Sequence, residues 1–181
     1  MVTLAQLWMP IVISAALVFL ASGLIWMVVG WHNKDFAKVP NEDAVAAALQ
    51  GAPGGTYMIP FARGAEMRDP EFLKRKREGP NALITVTRWP DGMGKQLTLT
   101  FLYYLLISTA VAYVASRTLP PGTPYIAVFG VVAPVAILAY SAAALNNSIW
   151  FGKPWSATLK DVLDGVIFGL LTAGTFGWRW P

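Results

Sequence analysis

The feature that most constrains this chain is a set of long segments without charged side chains. Residues 1–33 contain no Asp, Glu, Lys or Arg, and 10–31 form a run of 22 mostly apolar residues. An α-helix rises about 1.5 Å per residue, so this run is long enough to cross roughly 30 Å of hydrocarbon. The start of the chain lacks the basic residues of a signal peptide, so we expect a retained transmembrane helix.

Two further uncharged segments lie at 96–116 and 125–145, and a fourth mostly apolar segment, at 157–180, has charged residues only in its first turns and at Arg179. A Pro/Gly-rich turn at 117–124 separates the first two of them. Hydrophobic residues make up 55% of the chain and charged residues only 13%, whereas a soluble domain is about a quarter charged. The sequence therefore predicts an all-α membrane protein with four transmembrane helices in two hairpins. We expect helix 1 within 1–31, a loop domain at 32–95, and helices 2–4 within 96–181.

The basic residues near the span ends predict the orientation. The side of the two large loops carries Lys34, Lys38, Lys76, Arg77, Arg88, Lys95, Lys153 and Lys160, and the other side carries Arg117 and Arg179. Cytoplasmic loops are enriched in Lys and Arg. We therefore expect a multi-pass protein of the bacterial inner membrane, with loops 32–95 and 146–160 in the cytoplasm and both termini in the periplasm.

The 32–95 loop is patterned enough to fold as a small α+β cap on the cytoplasmic side. A capped helical pattern runs from Asn41 to Gly51, and a second runs from Asp69 to Pro80. The β-rich segment 83–87 has a possible pairing partner in 56–59. The loop mixes acidic and basic residues, so nucleic acid is not an expected partner.

Few residues could carry chemistry. The chain has no Cys and one His, which argues against a cysteine or multi-histidine metal site. His32 is a weak candidate for a haem or pigment ligand, and a wet histidine at the membrane interface is the simpler interpretation. Asp161 and Asp164 share a helix face near the start of the fourth span. With Thr158, Asp161 fits a capping box, so a structural role is favoured over acid–base catalysis. No catalytic residue, metal site or cofactor motif is identified, although contact with lipid or pigment stays open.

Three groups of residues are candidates for contact with lipids or partners. The basic run Lys74, Arg75, Lys76 and Arg77 could meet anionic headgroups or an acidic partner. The small residues Gly165, Gly169, Ala173 and Gly174 allow close helix approach, either inside the bundle or against another subunit. Trp150 and Trp155 belong to segment 146–156, which the sequence predicts to be an inner turn.

The chain resembles a group of uncharacterised four-helix bacterial inner-membrane proteins. The stretches that carry the resemblance are 35–44, 53–57, 93–95, 148–156 and 172–178. The group has no known activity, so the resemblance implies no catalytic residue. It also suggests, more narrowly, an accessory subunit of a bacterial photosynthetic reaction-centre–antenna complex.

These observations favour a non-catalytic accessory or structural subunit of a multisubunit inner-membrane complex, with other membrane subunits and phospholipids as partners. The alternative is a small-solute transporter or channel, in which Pro134 and the Gly-rich fourth span form broken helices around a site. Its candidate polar lining is Ser108, Thr109, Ser141, Thr172 and Thr175. A membrane enzyme that uses Asp161 and Asp164 has the weakest support.

Overall fold

The computed structural model describes residues 2–88 and 92–181 and is mostly helical. The elements that form its long helices are α1 (Trp8–Leu24), which continues into a π-helical turn (Ile25–Val29), α4 (Gly94–Thr118), α5 (Tyr125–Phe151) and α6 (Trp155–Trp178). The four predicted spans therefore exist as helices, with ends that differ by a few residues.

Three helices of the described chain are long and apolar enough to cross a membrane, namely Trp8–Val29, Gly94–Thr118 and Tyr125–Phe151. The fourth, α6, has comparable length but carries Lys160, Asp161 and Asp164 in its first three turns. The count of four spans is therefore not confirmed by length and composition.

The turn between α5 and α6 is shorter than the sequence predicts. Helix α5 does not end at Leu145 but continues to Phe151, because its first strong stop signals are Gly152, in the left-handed region at φ 70°, and Pro154. Helix α6 begins at Trp155, so Thr158 lies inside the first turns and does not cap the helix. Its hydroxyl instead lies 2.6 Å from the hydroxyl of Ser148 and links the two helices.

The chain divides into two compact units, one of residues 2–37 with 92–181 and one of 38–88. The smaller unit contains α2 (Glu42–Leu49), β1 (Gly55–Ile59), a 3₁₀ turn (Gly64–Arg68), α3 (Pro70–Glu78) and β2 (Ala82–Val86). The two strands pair antiparallel, with Gly55 opposite Val86 and Ile59 opposite Ala82. The predicted helices and hairpin are confirmed, but residues 32–37 belong with the long helices.

In the larger unit, the helix unit, α1 packs antiparallel to α4. The hydroxyl of Ser14 donates to that of Ser108 at 3.1 Å, and the rings of Phe19 and Phe101 meet edge to face at 5.8 Å. The turn after α1 and the start of α6 thus lie at one end, called here the His32 end. The start of α1, the α4–α5 turn and the residues after α6 lie at the other, the Pro120 end, where Trp180 Nε1 donates to the carbonyl of Pro120 at 2.9 Å.

The small residues of α6 allow it to pack closely against α5. A Cβ on Gly165 would lie 2.6 Å from the Ser141 side chain, and one on Gly169 would lie 2.8 Å from the backbone nitrogen of Ile137. Ala173 is fully buried, and a Cβ on Gly174 would meet Tyr125 at 3.6 Å. Of the two alternatives left open by the sequence, packing within the bundle is therefore the one observed. The Gly165–Gly169–Ala173 row is covered by α5 and offers no surface for a partner.

Candidate functional site

The one histidine is held where the chain turns sharply after α1. The π-helical turn ends at Gly30, which has φ 64°, and the amide of Asp35 donates to the carbonyl of His32 at 2.9 Å. The Trp26 ring stacks on the His32 ring, with centroids 4.2 Å apart and planes 7° apart. His32 is consequently only 2% exposed, so the expectation of a wet interfacial histidine is wrong.

Both ring nitrogens of His32 face carboxylates. Nδ1 lies 2.7 Å from Oδ2 of Asp35, and Nε2 lies 3.0 Å from Oδ2 of Asp164 on α6. Each nitrogen is therefore already engaged, and neither is available to ligate a haem iron or a pigment metal without breaking a hydrogen bond. This geometry does not fit the cofactor role considered for His32.

Lys160 completes the group. It lies one helical turn before Asp164 on the same face of α6, and its ammonium donates to Oδ1 of Asp35 and to the carbonyl of Trp31, the latter at 2.8 Å. We call His32, Asp35, Lys160 and Asp164 the His32 cluster. It joins the end of α1 to the first turns of α6 through four side chains.

The charges of the His32 cluster balance when the histidine carries both ring hydrogens. An ionised carboxylate only accepts hydrogen bonds, so two carboxylates satisfy both ring nitrogens when each nitrogen donates. The imidazolium and the Lys160 ammonium then offset Asp35 and Asp164. A balanced, hydrogen-bonded group is the form in which charges persist in a poorly solvated place, and removing one member leaves an unbalanced charge in the group.

The hydrogen bond from Lys160 is the main reason that the pKa of the Asp35 carboxyl lies below its ordinary value of 3.8. Burial opposes this shift, and the contact with His32 reinforces it. Asp35 therefore loses its charge at a lower pH than an ordinary aspartate, which keeps an acceptor for both Lys160 and His32.

Two buried polar atoms beside the cluster have no hydrogen-bond partner among the described residues. They are Nε1 of Trp31 and Oδ1 of Asp164. One is a donor and the other an acceptor, and the Trp31 side chain lies beside Asp164, so the two atoms are placed to satisfy each other. Among the described residues, no group of three or more His, Cys, Asp or Glu side chains is placed to hold a metal ion.

The other predicted site residues lie elsewhere. Asp161 does not join Asp164, because its carboxylate pairs with Lys153 across the α5–α6 turn. Trp150 and Trp155 are exposed near that turn, at 77% and 54%. Lys74, Arg75, Lys76 and Arg77 are exposed on α3 in the smaller unit.

Sequence reasoning missed that His32, Asp35, Lys160 and Asp164 come together. A signal was present, because Asp164 lies inside an apolar segment and needs a donor there. Lys160, four residues earlier, lies on the same helix face. These two residues marked one face of α6 as polar, although the sequence did not reveal which loop would cover it.

Comparisons of the chain with protein-family models, curated proteins and solved structures found no match.

Proposed function

We propose that this protein is a non-catalytic accessory subunit of a larger bacterial inner-membrane complex. The observation that carries the proposal is the apolar surface at the end of α5. Helix α5 has 27 residues, about 40 Å at 1.5 Å per residue, which exceeds roughly 30 Å of hydrocarbon. Past Asn146 and Asn147 the helix still presents Ile149, Trp150 and Phe151, all exposed by more than half.

This surface continues onto α6 through Trp155. Large aromatic side chains that stay exposed where a helix leaves the hydrocarbon are typical anchors of protein interfaces. They also suit the lipid interface, where indoles are enriched. We call Ile149, Trp150, Phe151 and Trp155 the docking patch, and we propose a subunit of the same membrane as its occupant.

The His32 cluster supports the accessory role because its side chains hold two helices of the protein together. Its charged groups pair with one another and connect α1 to α6. The cluster thereby holds the docking patch and the α1 end in a fixed relation within the helix unit. On the resemblance alone, we further propose the photosynthetic reaction-centre–antenna assembly as the complex. From the excess of Lys and Arg near the span ends on that side, we propose the cytoplasmic side for the His32 end.

The experiment is purification of the protein from its native membrane in mild detergent, followed by identification of the chains that migrate with it. A fixed ratio to the same partner subunits supports the proposal, and an absorption spectrum of the particle tests the photosynthetic assignment. Migration of the protein alone in several mild detergents would contradict the accessory role.

A small-solute transporter is the second candidate, and the buried ionisable cluster is the observation that favours it, since such groups often mark transport paths. The hydroxyls that the sequence predicts to line a transport path already form hydrogen bonds within the helix unit. Thr109, Ser141, Thr172 and Thr175 each donate to a carbonyl of their own helix, and Ser108 accepts from Ser14. Proton-driven uptake in proteoliposomes that His32→Ala abolishes would favour the transporter.

A further inference from the structure

A cleft of about 440 Å³ opens at the Pro120 end of the helix unit, away from the His32 cluster. It lies between the start of α1 and the residues that follow α6. Its lining includes Gln6, Trp8, Trp178, Arg179 and Trp180. We call it the Arg179 cleft.

The helix ends that form the cleft indicate the level at which it lies relative to a membrane. Trp8 is the first residue of α1 and Trp178 the last of α6, and both indoles are exposed by more than 60%. Exposed tryptophans at the ends of apolar helices mark the headgroup level of a bilayer. The cleft therefore opens where phospholipid headgroups lie.

Among the described residues that line the cleft, Arg179 is a cation and none is an Asp or a Glu. The guanidinium of Arg179 lies 3.9 Å from the ring centroid of Trp178 and makes no ion pair within the described residues. Residues 2–34 and 165–181 contain no Asp or Glu at all. The main-chain oxygen of Pro181, which also lines the cleft, accepts from the amide of Gly122.

A second donor lies in the same lining. The side-chain oxygen of Gln6 accepts from the amide and the hydroxyl of Thr3, at 2.9 and 3.0 Å. This contact fixes the orientation of the amide, whose nitrogen makes no hydrogen bond within the described part of the chain. A planar guanidinium and an amide donor in the lining of one cleft suit a phosphate group, whose oxygens only accept.

We propose that the Arg179 cleft binds the phosphate headgroup of an anionic phospholipid such as phosphatidylglycerol. Arg179, held by the Trp178 ring, pairs with the phosphate, and Gln6 donates to another of its oxygens. The indoles of Trp8 and Trp178 cover the glycerol region, and the acyl chains lie along the apolar faces of α1 and α6. The site goes beyond the accessory role and does not depend on which complex the protein joins.

The test measures lipid retention by native mass spectrometry on the full chain, delipidated in detergent and titrated with phosphatidylglycerol or phosphatidylcholine. We expect Arg179→Gln to weaken phosphatidylglycerol binding roughly fivefold, since one basic residue near the headgroups contributes about that factor. Arg179→Lys should keep most of the binding. Arg117→Gln is the matched control, because Arg117 lies over the Tyr113 ring at the same end and does not line the cleft.

Selective retention of phosphatidylglycerol that Arg179→Gln reduces and Arg117→Gln leaves intact would support the proposal. Equal losses in the two Gln variants, or equal binding of the two lipids, would overturn it. Inorganic phosphate is the competitor in a separate titration. Displacement by phosphate at the same concentration as the lipid would also overturn it, because the site would then recognise free phosphate and not a lipid.

Discussion

The Nε2 atom of His32 lies 3.0 Å from Oδ2 of Asp164, although 132 residues of sequence separate the two side chains. Asp35 occupies the other ring nitrogen, so the histidine bridges the turn after α1 and the start of α6. The only histidine of the chain thus lies at a junction between helices and not at an open ligand site.

Replacing His32 tests whether this bridge stabilises the helix unit. His32→Ala leaves the buried Asp164 carboxylate without its histidine donor, while Asp35 keeps the hydrogen bond from Lys160. Breaking a buried pair in this way costs about 3 to 5 kcal/mol. We expect a clear fall in the midpoint of thermal unfolding in detergent, followed by tryptophan fluorescence. Lys34→Ala is the control, because Lys34 is exposed two residues away and belongs to none of the ion pairs described. Equal midpoints for the two variants would show that the bridge contributes little.

The pH dependence of stability should report on Asp35 and Lys160. The pKa of Asp35 is lowered in the folded state, chiefly by the hydrogen bond from Lys160. Unfolding raises it back toward 3.8, so the unfolded state binds more protons in this range. The contribution of Asp35 to stability is therefore fully present above pH about 4 to 5 and is lost as the pH falls through the folded pKa.

Lys160→Met removes the main cause of that shift. We expect the variant to be less stable than wild type at pH 7, with a smaller further loss between pH 5 and pH 3. Thermal midpoints measured across this range in one detergent give both quantities. Parallel curves for variant and wild type would contradict the assigned cause.

Because α5 and α6 approach each other closely, we expect that one methyl group added between them lowers the stability of the protein. In Gly169→Ala the new Cβ would lie 2.8 Å from the Ile137 nitrogen and 3.0 Å from its Cα. Backbone must therefore move, and overpacking of this kind costs about 1 to 3 kcal/mol. Gly130→Ala is the control, since a Cβ on that helical glycine meets no atom within 4 Å. A thermal midpoint for Gly169→Ala as high as that for Gly130→Ala would contradict the packing.

The proposed orientation has its own test. The excess of basic residues at the His32 end and in the 32–95 loop is the basis for proposing that this side faces the cytoplasm. A reporter active only in the periplasm should work when fused after Pro181 and fail when inserted near Gly79. The reverse pattern of activity would overturn the orientation.

Much of the fold could be predicted from the sequence because its cause is local. Uncharged apolar segments indicated the long helices, and Asp69 with Pro70 marked the start of α3, where Asp69 accepts from the Glu71 amide at 2.7 Å. The end of α5 was predicted wrongly because Asn146 and Asn147 favour turns. In the structure their helix continues to the Gly152 stop.

The His32 cluster and the buried glycine row could not be predicted in the same way. Whether Gly165 and Gly169 meet α5 or a second protein depends on which helices are neighbours. Likewise, His32 has only Asp35 as a local partner. Its contact with Asp164 depends on how α1 and α6 assemble, and no pattern within either segment encodes that arrangement.

The docking patch is the surface on which the accessory role depends most directly. Trp150→Ala combined with Trp155→Ala removes two indoles that are each exposed by more than half. Tyr103→Ala, at an aromatic position on α4 that is 48% exposed, is the matched control. Interface anchors of this type contribute enough that losing two should lower occupancy about tenfold or more.

The decisive measurement is the ratio of this protein to its partner subunits in the complex purified from native membranes, for wild type, the double tryptophan variant and the control. The account predicts a constant ratio for wild type and Tyr103→Ala, and a ratio at least tenfold lower for the double variant while its level in the membrane stays unchanged. An unchanged ratio for the double variant would contradict docking through this patch.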